Sequence, residues 1–433
     1  LGSHRAVWVV GLLLIGVGVL VVARGLVLFR AGVGLPTLTP PPTRLGERLI
    51  PTMTVRAGEV VSSPRLPTGT EPVVLSASDT AVAPTALPTQ DIVTQTPSAT
   101  SAVPHTSTPD AAPAPSSTSL PAPTPIEMSG LFSRRQRIGF VAPLADVEQY
   151  DAARLGAGWY LSCIDGENPL QAAGMECAQF AGVTGGEYWP KSEGLKQMAR
   201  RYPGRLWLVG NEPDVIWQSN STPAEYARAY HDIHQALKEA DPSSQVAIGG
   251  ISQVTPLRLR YLEEVLAAYK AAYGQQMPVD VWNIHLAILR EERGSWGVDI
   301  PPGLPDDTGV LYEIEDNADV EILKEQVVTF RRWMAERGLR EKPLIVTEFS
   351  VLMPPEYGFP FEVVRDFMLQ AADYLITATD AELGHPADGN RLVQRWAWYS
   401  SADETYYTGN LFDPDTGQMT PLGKVFAEYA ADW

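Results

Sequence analysis

At 433 residues with 45% hydrophobic side chains the chain can bury a sizeable core, but its 37 prolines concentrate before residue 130 and exclude that portion from any packed domain. A net charge of -18 excludes nucleic acid as a main partner, because no basic stripe is present to neutralise phosphates. Two cysteines and six scattered histidines show no spacing of a Cys/His metal site, so no metal is expected, and no organic cofactor is expected either.

Residues 7 to 23 are an uninterrupted apolar run, and a further apolar patch after Arg24 reaches Phe29. About 20 such residues, rising about 1.5 Å each, span a bilayer. Residues 1–34 are therefore expected to form a transmembrane anchor, the alternative being a cleaved signal peptide. From residue 35 to 130 the composition shifts to Pro, Thr, Ser and Ala, as in Pro40-Pro41-Pro42-Thr43. Too few large apolar side chains remain there to offset ordering entropy, so a disordered Pro/Thr/Ser-rich linker is expected. Extended at about 3.1 Å per residue it reaches on the order of 280 Å. This layout predicts a single-pass cell-membrane protein with an extracellular folded domain at 131–433, secretion being the alternative. In that compartment Cys163 and Cys177 fit either a local disulfide or two buried thiols.

From Arg137 onward apolar strand patterns alternate with amphipathic helix patterns, the signature of a parallel sheet wrapped by helices. Strands are expected at 137–142, 158–164, 177–183, 206–210, 246–250, 279–287, 344–349 and 392–399. Helices are expected at 146–155, 191–202, 224–240, 256–273, 318–337, 361–378 and 421–431, the third opened by Thr222-Pro223, a cap followed by proline in the first turn. Eight strands in about 300 residues fit one α/β domain, a (β/α)8 TIM barrel.

In such barrels the chemistry sits at the carboxyl ends of the strands. Asn211-Glu212-Pro213 closes the fourth strand and Thr347-Glu348 the seventh, so two carboxylates are expected to face each other across the mouth. A retaining glycosidase needs its pair about 5 to 5.5 Å apart. Alternation along the sixth strand puts Asn283 and His285 on one face, and along the eighth it puts Trp396 and Trp398 on one face. Aromatic rings suit a sugar's C–H face, which makes Trp398, Trp396, Tyr188, Trp189 and Trp217 candidates for subsite walls. The connection from 289 to 317, containing Trp296, is long enough to wall a cleft.

These short motifs, Leu208 to Asp214, His285 after Asp280, and Pro343 to Phe349, resemble the clan A (4/7) glycoside hydrolases. They look most like a glycosyl hydrolase catalytic core group that includes β-1,3-glucan hydrolases. The resemblance covers residues 137–433 and is confined to the motifs. It implies hydrolysis of a β-linked polysaccharide or oligosaccharide, with Glu212 as acid/base, Glu348 as nucleophile and Asn211 on the sugar 2-hydroxyl. It further implies that His285 lines the subsite and that a tryptophan on the eighth strand, Trp398 before Trp396, floors it. Ionised Glu348 is expected to raise the pKa of Glu212. The family's tyrosine after the sixth strand is replaced by Ala287, which keeps open a cell-surface carbohydrate-binding barrel without turnover; a transglycosylase using the same two glutamates is a further alternative.

Overall fold

Short runs of apolar residues bounded by Gly, Pro and polar turns become the strands in a computed structural model that describes residues 131–143, 147–162 and 174–432. The expected anchor, the expected linker and Cys163 lie outside these residues. Among the described residues no helix is long and apolar enough to cross a membrane, and Cys177 is a buried free thiol.

After a one-turn helix α1 (Arg134–Arg137) the strands are β1 (Ile138–Ala142), β2 (Trp159–Ser162), β3 (Glu176–Thr184), β4 (Glu187–Trp189), β5 (Leu206–Val209), β6 (Gln245–Ile248), β7 (Trp282–His285), β8 (Leu344–Glu348) and β9 (Arg395–Trp398). Parallel pairing runs β6-β5-β3-β2-β1-β9-β8-β7, with β4 an antiparallel flap on β3. Parallel bridges Ala247 to Val281 and Ile251 to Ile284 join β6 to β7 and close the barrel. Leaving out β4, β5 is the fourth barrel strand and β8 the seventh.

The helices are α2 (Ser192–Arg201), α3 (Pro223–Ala240), α4 (Pro256–Tyr273), α5 (Val320–Glu336), α6 (Phe361–Thr377) and α7 (Pro421–Asp432). Thr222 and Thr255 cap α3 and α4 with their hydroxyls, each followed by proline in the first turn. The helix expected over 146–155 is instead two 3-10 turns, Val147–Gln149 and Ala152–Leu155. Gly156, at φ 71, ends the second turn and lies against Ala430 of α7, so the closing helix covers this short connection.

Each strand shows one face to the barrel interior and one to the helices. The interior is packed by Val141, Trp159, Leu161, Ala178, Leu206, Leu208, Ala247, Val281, Ile345 and Ala397. At the amino-terminal end Arg395 lies over the Trp159 ring at 4.4 Å and pairs with Glu176 at 2.9 Å. Buried Arg137 binds Asp388 through both nitrogens. Those bonds close the amino-terminal end.

Candidate active site

At the end of β5 the backbone turns left-handed twice, at Gly210 (φ 74) and at Glu212 (φ 43). Glycine adopts that conformation freely, whereas for glutamate it costs roughly 1–2 kcal/mol. The turn is held by its own bonds: Asn211 N–H donates to Ser219 Oγ at 3.0 Å, Ser219 N–H to the Asn211 carbonyl at 3.2 Å, and Val215 N–H to the Glu212 carbonyl at 3.0 Å. The carboxylate of Glu212 is thereby fixed at the mouth, and the Asn211 carboxamide, half-buried beside it, makes no side-chain hydrogen bond among the described residues.

Alternation on β7 sends Trp282 and Ile284 out to the helices and Asn283 and His285 inward. His285 Nδ1 lies 2.9 Å from Glu212 Oε1 and 3.6 Å from Glu348 Oε2, and the three donor atoms fall within 4.8 Å of one another. Gly250 makes this approach possible, since a Cβ there would sit 2.6 Å from His285 Nε2. Thr347 donates its hydroxyl to Asn283 Oδ1 at 2.8 Å, anchoring the neighbouring inward side chain. The same three atoms are the group that could converge on a cation among the described residues. The Nδ1 contact with Glu212 instead commits the imidazole to the carboxylate.

The side chains of Glu212 and Glu348 are 14% and 18% exposed. Burial pushes Glu348 up to about 7; His285 opposes the rise, while Glu212 and Asp403 add to it. His285 is itself raised: burial works against its charged form, and the Glu348 and Glu212 carboxylates outweigh that. Glu348 is thus a raised carboxyl in the free protein. Burial dominates at Glu348, with a third carboxylate, Asp403, nearby.

The aromatic candidates separate cleanly. Trp396 and Trp398 face away from the carboxylates: Trp396 packs on Phe349 and Phe426, and Trp398 packs on Phe349 and donates Nε1–H to the Gly409 carbonyl at 2.7 Å. The register of β9 puts Ala397 and Tyr399 on the inner face, and in a strand a shift of one residue exchanges the faces. Tyr399 therefore stands where Trp398 was expected. Its hydroxyl donates to Asp403 Oδ2 at 2.8 Å, and its ring meets Tyr406 edge-on with centroids 6.4 Å apart. Tyr406 comes from the loop after β9. Its phenol is held far above its ordinary pKa by burial and by the fields of Glu212, Asp403 and Glu348. On β4 the two neighbours diverge. Trp189 lies over Gly182 on the inner face of β3. Tyr188 packs on the outer core under Lys191, toward Asp232 of α3, and is removed from the mouth. Trp217 is 39% exposed on the turn after Glu212.

One feature escaped the sequence reading: a fully buried network behind Glu212. Arg258 of α4 donates Nη1–H to the Asp214 carbonyl and carboxylate at 2.5 and 3.0 Å, Nε–H to Glu291 at 2.9 Å and Nη2–H to the carbonyls of Val298 and Asp299. Its signal was available, because Arg258 interrupts the buried stripe Leu257, Tyr261, Leu262, Val265 of α4. Amide side chains pin the long connection as well: Gln253 brackets Leu289 with both ends, Gln326 binds the Ala287 carbonyl, and Asn317 joins the Ile288 carbonyl to the N–H of Leu352.

No family model and no curated protein matches the chain. Among solved structures it is similar to the GH128 (subgroup II) endo-beta-1,3-glucanases of Sorangium cellulosum (17% identity, covering 67% of this chain and 97% of that one, TM-score 0.44) and Pseudomonas viridiflava (17%, 67% and 96%, TM-score 0.46). A glucosidase from Croceicoccus marinus matches at 14% identity over 70% of this chain and 68% of its own, with a TM-score of 0.46. Identities and TM-scores this low leave the carboxylate pair to be judged on its own geometry.

Proposed function

We propose that the protein is a retaining glycoside hydrolase that cleaves a β-linked glycan by double displacement. The observation that carries this reading is the convergence of Glu212 and Glu348 from the fourth and seventh barrel strands, with oxygens within 4.8 Å. That separation fits the close carboxyl pair of a retaining site, about 5 to 5.5 Å, and is shorter than the roughly 6.5 to 9.5 Å an inverting site needs for its water.

Ionised Glu348 attacks the anomeric carbon as Glu212 gives its proton to the departing oxygen, leaving a glycosyl ester on Glu348. Esterification removes the Glu348 charge, so Glu212 then accepts a proton from the incoming water, whose oxygen displaces Glu348. On this reading Asn211 binds the 2-hydroxyl of the sugar. Tyr399, Trp189 and Tyr406 provide the aromatic surface. The apolar run at 7–23 and the linker after it support attachment of this domain to a cell surface.

The test is hydrolysis of aryl β-glycosides and β-linked polysaccharides by the wild type and by Glu348→Gln. Turnover lost in the variant is the expected result. Binding retained by both proteins with turnover in neither sinks the reading in favour of a carbohydrate-binding barrel, and products longer than the substrate identify a transglycosylase.

A further inference from the structure

We infer that Arg258 is a positioning residue that holds Glu212 in its left-handed backbone and fastens the connection 289–310 to the same point, so that the cleft wall and the proton donor form one unit. The inference rests on the proposed role of Glu212 as acid/base.

Glu212 occupies a conformation that costs roughly 1–2 kcal/mol for a residue with a Cβ, and such strain persists only where the surroundings over-determine it. The hydrogen bonds inside the turn hold Asn211 and the Glu212 carbonyl, and the side-chain anchor between Glu212 and Val215 is Asp214, fully buried two residues beyond Glu212. Asp214 is bound on two sides. Arg258 Nη1 grips both its carbonyl and its carboxylate, and Ser252 donates N–H at 3.1 Å and Oγ–H at 2.9 Å to Oδ2. Ser252 belongs to the segment that receives the N–H groups of Ala287 and, through Ile251, of His285. One carboxylate therefore sets the Glu212 turn in register with the histidine that contacts Glu212.

The other half of the guanidinium faces the long connection. Glu291 Oε1 takes Nε–H and also the Thr255 hydroxyl at 2.7 Å, Glu291 Oε2 takes Val310 N–H at 2.8 Å, and Nη2 binds two carbonyls at 298 and 299. Five N–H donors in a planar fork can serve these partners at once, and an ammonium group cannot. Removing the cation outright would strand two buried carboxylates and risk the fold. The informative change is therefore Arg258→Lys, with Asp214→Asn as the second variant, since it keeps shape and leaves Arg258 paired to Glu291.

A slack proton donor has a particular kinetic signature. Acid catalysis matters for a poor leaving group and is dispensable for a good one. The experiment measures kcat/KM of wild type, Arg258→Lys, Asp214→Asn and Glu212→Gln on 2,4-dinitrophenyl and 4-methoxyphenyl β-laminaribioside, together with a crystal structure of Arg258→Lys. The expected result is a loss of about tenfold or more on the methoxyphenyl substrate, within the span of general acid catalysis, and less than about threefold on the dinitrophenyl one. Glu212→Gln should show the same pattern more strongly, and Glu212 in the Arg258→Lys crystal should leave positive φ. Equal losses on both substrates, or Glu212 unmoved at 2.9 Å from His285 in that crystal, overturn the inference. If Glu212→Gln itself loses equally on both, the acid/base assignment fails, and the crystal still decides whether Arg258 holds the turn.

Discussion

The two acids meet at one point but arrive from walls built on different physics. Behind Glu212 the wall is ionic: Asp214 and Glu291 are fully buried on the buried Arg258, and the three bind the carbonyls of 214, 298 and 299 and the amides of 252 and 310. Behind Glu348 the wall is apolar, with Phe349 wedged between the edges of Trp396 and Trp398. Buried charges in fixed geometry determine where a neighbouring group sits. An apolar setting leaves position to packing and instead determines how readily the group ionises. The Glu212 side is thus built for placement and the Glu348 side for proton affinity.

The comparison breaks most visibly if Glu348 is not the nucleophile. Glu348→Gln should lower kcat/KM by about four orders of magnitude or more, as loss of a covalent nucleophile does. The same substitution should stabilise the fold at alkaline pH. A carboxyl raised to about 7 in the native state and lower when unfolded leaves stability intact below the unfolded value. It then erodes that stability as pH rises toward the folded value and keeps the full cost above it. Thermal melts should therefore show the variant gaining on wild type between pH 5 and pH 8, a few degrees at about pH 8. No gain across that range would place the raised proton affinity elsewhere.

The next effect tests the seam between the walls. Gly250→Ala introduces a methyl group about where the His285 ring lies, so the ring must swing off the carboxylates. A displacement on the order of 1 Å at a reacting group costs about a hundredfold, and kcat should carry it while the melting temperature changes little. Unchanged kcat would mean that His285 does not hold the pair together.

Much of this was legible in advance. Apolar runs ending in Asn-Glu-Pro and Thr-Glu mark strand ends whatever the tertiary context, so Glu212, Glu348 and the inward His285 could be placed before any coordinates. The face of β9 could not be. Strands of a parallel barrel are buried on both sides and carry no polar alternation to reveal which is which, and Trp396-Ala397-Trp398-Tyr399 reads equally well in either register. Arg258 was hidden for a related reason: a charge on a buried helix stripe looks like an error until its partners, Asp214 at 44 and Glu291 at 33 positions away, fold onto it.

Proton affinity on the apolar side sets the pH profile. On the proposed mechanism Glu348 must be ionised to attack, so kcat/KM should fall about tenfold between pH 8 and pH 6 if the controlling group titrates near 7. His285 holds the Glu348 value down, so His285→Asn should move this acid limb to higher pH. A limb that stays put would show that the imidazole carries no charge in the working enzyme.

The smallest effects separate the two faces of β9. Tyr399→Ala strips an inward ring and its bond to Asp403, and KM for a β-linked oligosaccharide should rise about tenfold or less, the scale of one aromatic contact. Trp398→Phe removes an indole that touches Phe349 and the Gly409 carbonyl on the far side of the sheet. It should cost on the order of 1–3 kcal/mol of stability through lost packing and an unpaired carbonyl, with KM unchanged. The opposite pattern, with KM responding to Trp398 and stability to Tyr399, would mean that the strand presents its other face to the sugar. The charge-fixed wall could remain as it is, but the apolar wall would have to be redrawn, because Phe349 and the backbone leading to Glu348 pack against whichever face points away from the substrate.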